Sequence, residues 1–469
     1  MSTERLGRPR LIWSSDRRHV ADARSVPDGA TLGTRESVRG TERVLASFDQ
    51  LCRGLYISGK PRSGKSTVIL NLVLDDFRHG RGACVVDPHG ELVSAILDRL
   101  PIQSQRDGER VVVFDPTYTE RPIGIDLLDA RDPFEEDLAI QFMIELIETL
   151  TPEFARGPML YQAVRNGMRL LFDTSGTLSE LPELVSNKKF LNTKLEAAKD
   201  PFVRRYWGTV WPDLGRSSEG PGYAAYITSK FSQFLEDRCL RNIFGQRGGL
   251  DFRHVIDSGQ ILLVDLARGR LGAMNSRFLG LVVLHCVERA VMRGPIAGTA
   301  ADEVSDFSVY LDEAHELDVE SVTRMITAFP KHNAALVLAN QAVGDLPYRL
   351  RRAVLGSTAS FVILRQGLEG ARTLEPLTQP RFDDVDLMRL RDHEAIYRGG
   401  SAIGSLRLAL SPSPPVANDP GRVSALRRFA ADRFGRQRED VEAEVLAVFG
   451  EPGEPELEPG LVVKCVARP

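Results

Sequence analysis

The apolar positions of this chain fall into short unbroken runs separated by stretches of helical spacing. Leu55-Tyr56-Ile57, Ala83-Cys84-Val85-Val86, Val111-Val112-Val113-Phe114, Ile261-Leu262-Leu263-Val264, Val309-Tyr310-Leu311, residues 334–339 and Phe361-Val362-Ile363-Leu364 each read as a strand buried on both faces. Helical patterns separate them, at 68–74, at 92–100 and, long and apolar, at 278–291. Such alternation predicts an α/β fold: a mainly parallel sheet with flanking helices. Residues 394–398 and 405–410 read as a closing hairpin. Two runs end in Asp-Pro (Asp87-Pro88 and Asp115-Pro116), a natural stop because proline brings no N–H to the ladder.

Between 132 and 244 the pattern changes. β-branched runs become scarce, and Leu138, Phe142, Leu146 and Leu150 share one helical face, with further helices at 159–172 and 190–197. An all-helical subdomain at 131–249 is therefore expected inside a core formed by 43–130 and 250–410. Its aromatic and basic residues, Phe202 to Trp207, Trp211, Tyr226 and Lys230, can touch nucleic acid, although a packed helical core is the more economical reading. Residues 1–42 read as an irregular lead-in with one strand at 10–13. Residues 411–469 read as a Pro/Ser-rich linker, a short helix around Val441 and Val445, and a disordered Glu/Pro tail at 451–459.

Charge narrows the function classes. With 60 Lys and Arg against 64 Asp and Glu, the chain lacks the basic excess of a protein that coats nucleic acid, so any such contact must be local. Five scattered cysteines with no C-x-x-C pair read as reduced thiols and offer no zinc site. No run of about 18 apolar residues occurs, and the polar first ten residues lack a secretion signal. The expectation is a cytoplasmic protein with no membrane insertion of its own.

The candidate chemistry starts at Gly59-Lys60-Pro61-Arg62-Ser63-Gly64-Lys65-Ser66-Thr67, between a strand and a helix. The spacing G-x-x-x-x-G-K-S in that context is a phosphate-binding loop. Glycines let the backbone turn its N–H groups around a phosphate, and the helix behind presents unpaired donors. Lys65 can reach the β- and γ-phosphates, and the Ser66 hydroxyl can ligate Mg²⁺. Downstream, the strand ending in Asp312-Glu313 can place Asp312 at the metal and Glu313 as the base for an attacking water. The next strand ends in Asn340-Gln341, where an amide can bond the γ-phosphate or its water, or else cap a turn. His315 opens no zinc motif, because Val319 and Glu320 stand where a second His would be needed.

These residues resemble the type IV secretion coupling proteins (TraD/TraG-type) and their relatives among the HerA/FtsK superfamily of hexameric DNA-pumping ATPases. The resemblance rests on the phosphate loop, Val85-Val86-Asp87-Pro88-His89-Gly90, Phe114-Asp115-Pro116, Ser229-Lys230-Phe231, residues 240–246 and 261–272, Tyr310 to Glu313, and Leu338 to Gln341. It implies a RecA-like core with an all-helical insertion, ATP and Mg²⁺, a homo-oligomeric ring, most often a hexamer, and DNA as the moved partner, single- or double-stranded. It also implies a nuclease, relaxase or secretion-channel partner. By position, Lys65 and Ser66 would take phosphate and Mg²⁺, Asp312 and Glu313 metal and water, and Gln341 would sense hydrolysis. Related proteins carry an Arg before the strand ending in Gln; here that stretch is Phe329-Pro330-Lys331-His332, so a trans-acting cation would come from Lys331, Arg365, Arg268 or Arg270. Residues 268–277 are expected to form a DNA-facing loop. Two other readings are a nucleotide-dependent assembly platform and a superfamily-two helicase. The second rests on Asp312-Glu313-Ala314-His315 alone and lacks that group's downstream elements.

Overall fold

The computed structural model describes residues 29–150, 157–216, 220–293, 306–317, 319–399, 403–417 and 419–449. The expected strand at 10–13 and tail at 451–459 lie outside them. The described chain forms two compact units. One holds residues through Ile123, those from Phe142 to 150, and Gly248–Arg436; the other holds Gly124–Gln141, 157–247 and residues from Gln437.

The first unit is built on an eleven-stranded sheet. In chain order the strands are β1 (Ala30–Ser37), β2 (Gly40–Ala46), β3 (Leu55–Ser58), β4 (Gly82–Asp87), β5 (Val111–Phe114), β6 (Ile261–Asp265), β7 (Phe307–Leu311), β8 (Ala334–Asn340), β9 (Ser360–Ile363), β10 (Glu394–Gly399) and β11 (Ile403–Leu410). Their spatial order is β2-β1-β11-β10-β9-β3-β8-β7-β4-β6-β5. The strands from β9 to β5 in this order run parallel. β10, β11, β1 and β2 extend the sheet antiparallel. The predicted α/β class is therefore observed, as a mixed rather than wholly parallel sheet. Every residue of β3 to β9 is buried, which is why these strands read as unbroken apolar runs instead of alternating ones.

Three expectations are corrected. Residues 30–42, expected within the irregular lead-in at 1–42, belong instead to the β1–β2 hairpin, which pairs on the sheet through β11. Their Gly, Thr, Arg and Glu content hid the alternation of a strand with one wet face. Residues 268–277 are not a loop: Arg268–Leu271 is one helical turn, and Ala273–Met292 follows after Gly272 at φ 80°. Nor are residues 411–436 a plain linker. The helix Arg422–Phe434 belongs to the sheet unit, where Arg422 bonds Leu97 and Leu100 carbonyls and Arg427 pairs with Asp115 and Asp265.

The second unit is all helical. Pro158–Asp173, Leu181–Ser186, Gly220–Leu235 and Arg238–Phe244 supply buried Leu160, Met168, Leu171, Leu184, Phe231 and Phe244. Trp207 and Tyr206 are buried edge to face at 5.0 Å within a π-helical turn, Tyr206–Val210. Those two aromatics are core, whereas Phe202 is exposed. Among the described residues no helix is long and apolar enough to cross a membrane.

Candidate active site

Parallel strands deliver their last residues to one edge, and there the candidate residues meet. β3 leads into the phosphate loop, with β9 on one side and β8, then β7, on the other. The loop is tied down by its own backbone and its neighbours': Gly59 N–H donates to Asn340 O at 3.2 Å, Lys60 N–H to Arg365 O at 3.0 Å, and Ser63 N–H to Lys60 O at 3.2 Å. Arg62 (φ 63°) and Gly64 (φ 116°) take left-handed backbone, which turns the loop back before the helix Lys65–His79. The N-cap Gly64 brings no side chain to that helix's first N–H groups, which suits an anion there. Lys60, Pro61, Arg62 and Ser66 are exposed and Thr67 is half-buried, while Gly59, Ser63 and Gly64 are buried.

Lys65 is 8% exposed and donates to Gly59 O at 3.0 Å; its Nζ lies 3.8 Å from Glu313 Oε1. Gln341 Nε2 donates to the same Glu313 oxygen at 3.1 Å. Glu313 itself is buried with φ 46°, a strained backbone for a non-glycine residue, and its N–H donates to Asp312 Oδ1 at 3.1 Å. Burial, the Glu313 charge and Asp87 push the Asp312 carboxyl up to about 6, with Lys65 opposing them. A carboxylate so crowded by negative charge is a hard-oxygen donor that fits a small divalent cation, and the exposed Ser66 at the head of the helix offers a second oxygen of the same kind. Lys65, Asp312, Glu313 and Gln341 are thus brought together, with Ser66 in the adjoining turn.

The four candidate trans-acting cations do not join this group. Arg365 pairs with Asp392 at 2.9 Å, Arg268 with Glu316, and Arg270 donates to Thr117 Oγ1 at 2.8 Å. Lys331 is exposed in the turn before β8, at the opposite edge of its own sheet.

Gln366 was not singled out from the sequence, and Asp87 and Asp115 were read there only as strand ends. Gln366, fully enclosed, donates to Ser58 O at 2.9 Å and Leu364 O at 2.8 Å, bracing the entry to the phosphate loop. Asp87 accepts from the His89 and Val93 N–H groups and so caps the helix Glu91–Leu97. Asp312, Asp87, Asp265 and Asp115 stand at the ends of four adjacent strands, β7, β4, β6 and β5. The available signal was this repetition of aspartate at run ends.

No family model matches the chain, and no curated protein matches it in sequence. Its fold does match solved structures. The bacterial conjugative coupling protein TrwBdeltaN70, unbound, aligns with TM-score 0.59 and 15% identity over 87% of this chain and 91% of that one. TrwB in complex with ADP and Mg²⁺ aligns with TM-score 0.57 and 15% identity over 85% and 92%. VirB4 of Thermoanaerobacter pseudethanolicus aligns with TM-score 0.52 and 16% identity over 85% and 99%. The chain therefore has the fold of these coupling-protein and VirB4 structures, the RecA-like P-loop fold with a helical unit.

Proposed function

We propose that this protein is a Mg²⁺-dependent ATPase that works as a DNA translocase of the coupling-protein kind. As a ring, most simply a hexamer, it would move DNA in conjugation, mobile-element transfer or phage defence from the cytoplasm. The observation that carries the reading is the 3.8 Å approach of Lys65 Nζ to Glu313 Oε1, across 313 − 65 = 248 positions of chain. Three strands set it: the phosphate loop leaves β3, the acids leave β7, and the Gln341 amide leaves β8 between them.

The division of labour follows from the donor types. The loop N–H groups and Lys65 bind and orient the triphosphate. Ser66 and Asp312 would hold Mg²⁺, which when bound neutralises charge on the phosphate oxygens. Glu313 accepts the proton of the attacking water, and Gln341, already bonded to Glu313, orients that water. Arg268, Arg270 and Arg277, on the helical turn and helix after β6, are the candidates for contact with the DNA backbone. A trans-acting cation would come from Lys331, Arg365, Arg268 or Arg270 of a neighbouring subunit.

The test is ATPase rate with and without single- and double-stranded DNA, together with particle mass with and without ATP. DNA-stimulated hydrolysis by a ring, lost on charge reversal of Arg277 while basal hydrolysis stays, is expected. Hydrolysis that ignores DNA at every salt concentration would refute translocation and favour an assembly platform.

A further inference from the structure

His315 closes the short turn after Glu313, and its Nδ1 stands between two buried side chains. Glu313 Oε2 is 3.5 Å away and the Asn340 side-chain nitrogen 3.2 Å. Asn340 is wholly buried and Glu313 is 7% exposed. Each has one oxygen without a hydrogen-bond partner: Asn340 Oδ1 and Glu313 Oε2. A single ring proton decides the balance. If Nδ1 is bare, it accepts from the amide and both oxygens stay orphaned, one of them a carboxylate's. If Nδ1 carries the proton, it donates to Glu313 Oε2. A half-turn of the amide, whose oxygen and nitrogen are nearly isosteric, then brings Asn340 Oδ1 to the same proton. An unpaired buried carboxylate oxygen costs more than an unpaired amide N–H, so the second arrangement is favoured.

We propose that His315 is a positioning residue for Glu313: its Nδ1–H holds Oε2 while Gln341 holds Oε1. Two donors from separate strand ends then fix the carboxylate against rotation, and Asn340 fixes the ring. Asn340 O also accepts the Gly59 N–H, so the residue that steadies the imidazole steadies the entry to the phosphate loop. The left-handed backbone of Glu313 fits this reading, because such a conformation persists only where its surroundings over-determine it. The contact at 3.5 Å stands at the long end of hydrogen-bond range. The inference rests on Glu313 serving as the base.

The experiment compares His315→Asn, His315→Gln and His315→Leu with Glu313→Gln in the full chain. The readouts are kcat, KM, affinity for a fluorescent ATP analogue, and thermal melting. Asn places its amide N–H where Nδ1–H was; Gln places it a bond further out. His315→Leu should lower kcat about 10- to 100-fold, the worth of one charge-assisted hydrogen bond, with KM and analogue affinity unchanged. His315→Asn should recover most of the rate and His315→Gln little. Undiminished kcat in His315→Leu, or parallel loss of rate and affinity, would overturn the role. Should the Leu variant fail to fold, equal rates for Asn and Gln would do so. Glu313→Gln at the wild-type rate would instead overturn the reading on which this one rests.

Discussion

Asp312→Asn should make the nucleotide-free protein more stable. The Asp312 carboxyl titrates near 6 against an ordinary 3.8, raised by burial, Glu313 and Asp87. A rise from 3.8 to about 6 corresponds to roughly 3 kcal/mol, reduced by residual solvent screening to about 1–3 kcal/mol. The sign follows from proton linkage. Above pH 6 the folded chain carries this carboxylate at a cost that the unfolded chain escapes. As pH falls through about 6 the folded form takes up the proton first, so this group's penalty shrinks, and it vanishes below 3.8, where both forms are protonated. Asparagine never incurs the cost. Its advantage should be full at pH 7.5 and gone near pH 4. Chemical denaturation followed by far-UV circular dichroism is the assay, because Trp207 and Trp211 sit in the helical unit and their fluorescence would report that unit. Adding Mg²⁺ and a non-hydrolysable ATP analogue should reverse the ranking, since only the aspartate gains a cation. An asparagine variant no more stable at pH 7.5, or equally advantaged at pH 4, would refute the electrostatic account.

Two further perturbations probe the frame around the site. Gly64→Val adds a Cβ 2.7 Å from Leu410 Cδ1 on a backbone at φ 116°; about 1–3 kcal/mol of strain in the loop should weaken ATP-analogue binding at least tenfold, measured by titration, while the circular dichroism spectrum stays unchanged. Arg427→Met leaves Asp115 and Asp265 facing each other without their guanidinium, and should cost about 3–5 kcal/mol at pH 7.5. Burial already raises Asp265, so that loss should shrink on acidification toward pH 4, as melting curves at the two pH values would show.

The sequence revealed what short-range pattern can carry. β3 to β9 were legible because a strand buried on both faces is apolar without interruption, and the phosphate loop because its spacing is local. The acid pair was legible as the end of such a strand. What stayed hidden depends on distance along the chain. Gln366 meets Ser58 across 308 positions, and Arg427 reaches Asp115 across 312. The β1–β2 hairpin was obscured by its polar outer face, and the Arg422–Phe434 helix by four arginines and a neighbouring proline-rich stretch. Asn340 and His315 each had a bland reading in isolation; only the pairing of β8 beside β7 brings Asn340 to the His315 that faces Glu313.

The 3.8 Å between the Lys65 ammonium and Glu313 couples the two jobs of the site, because the cation that would hold phosphate also sets the charge around the acid. A triphosphate on the loop would draw that ammonium toward itself and leave the acid freer to take a proton. A ligand without the terminal phosphate should pull less, and carbodiimide labelling of Glu313 should run faster with an ATP analogue than with ADP.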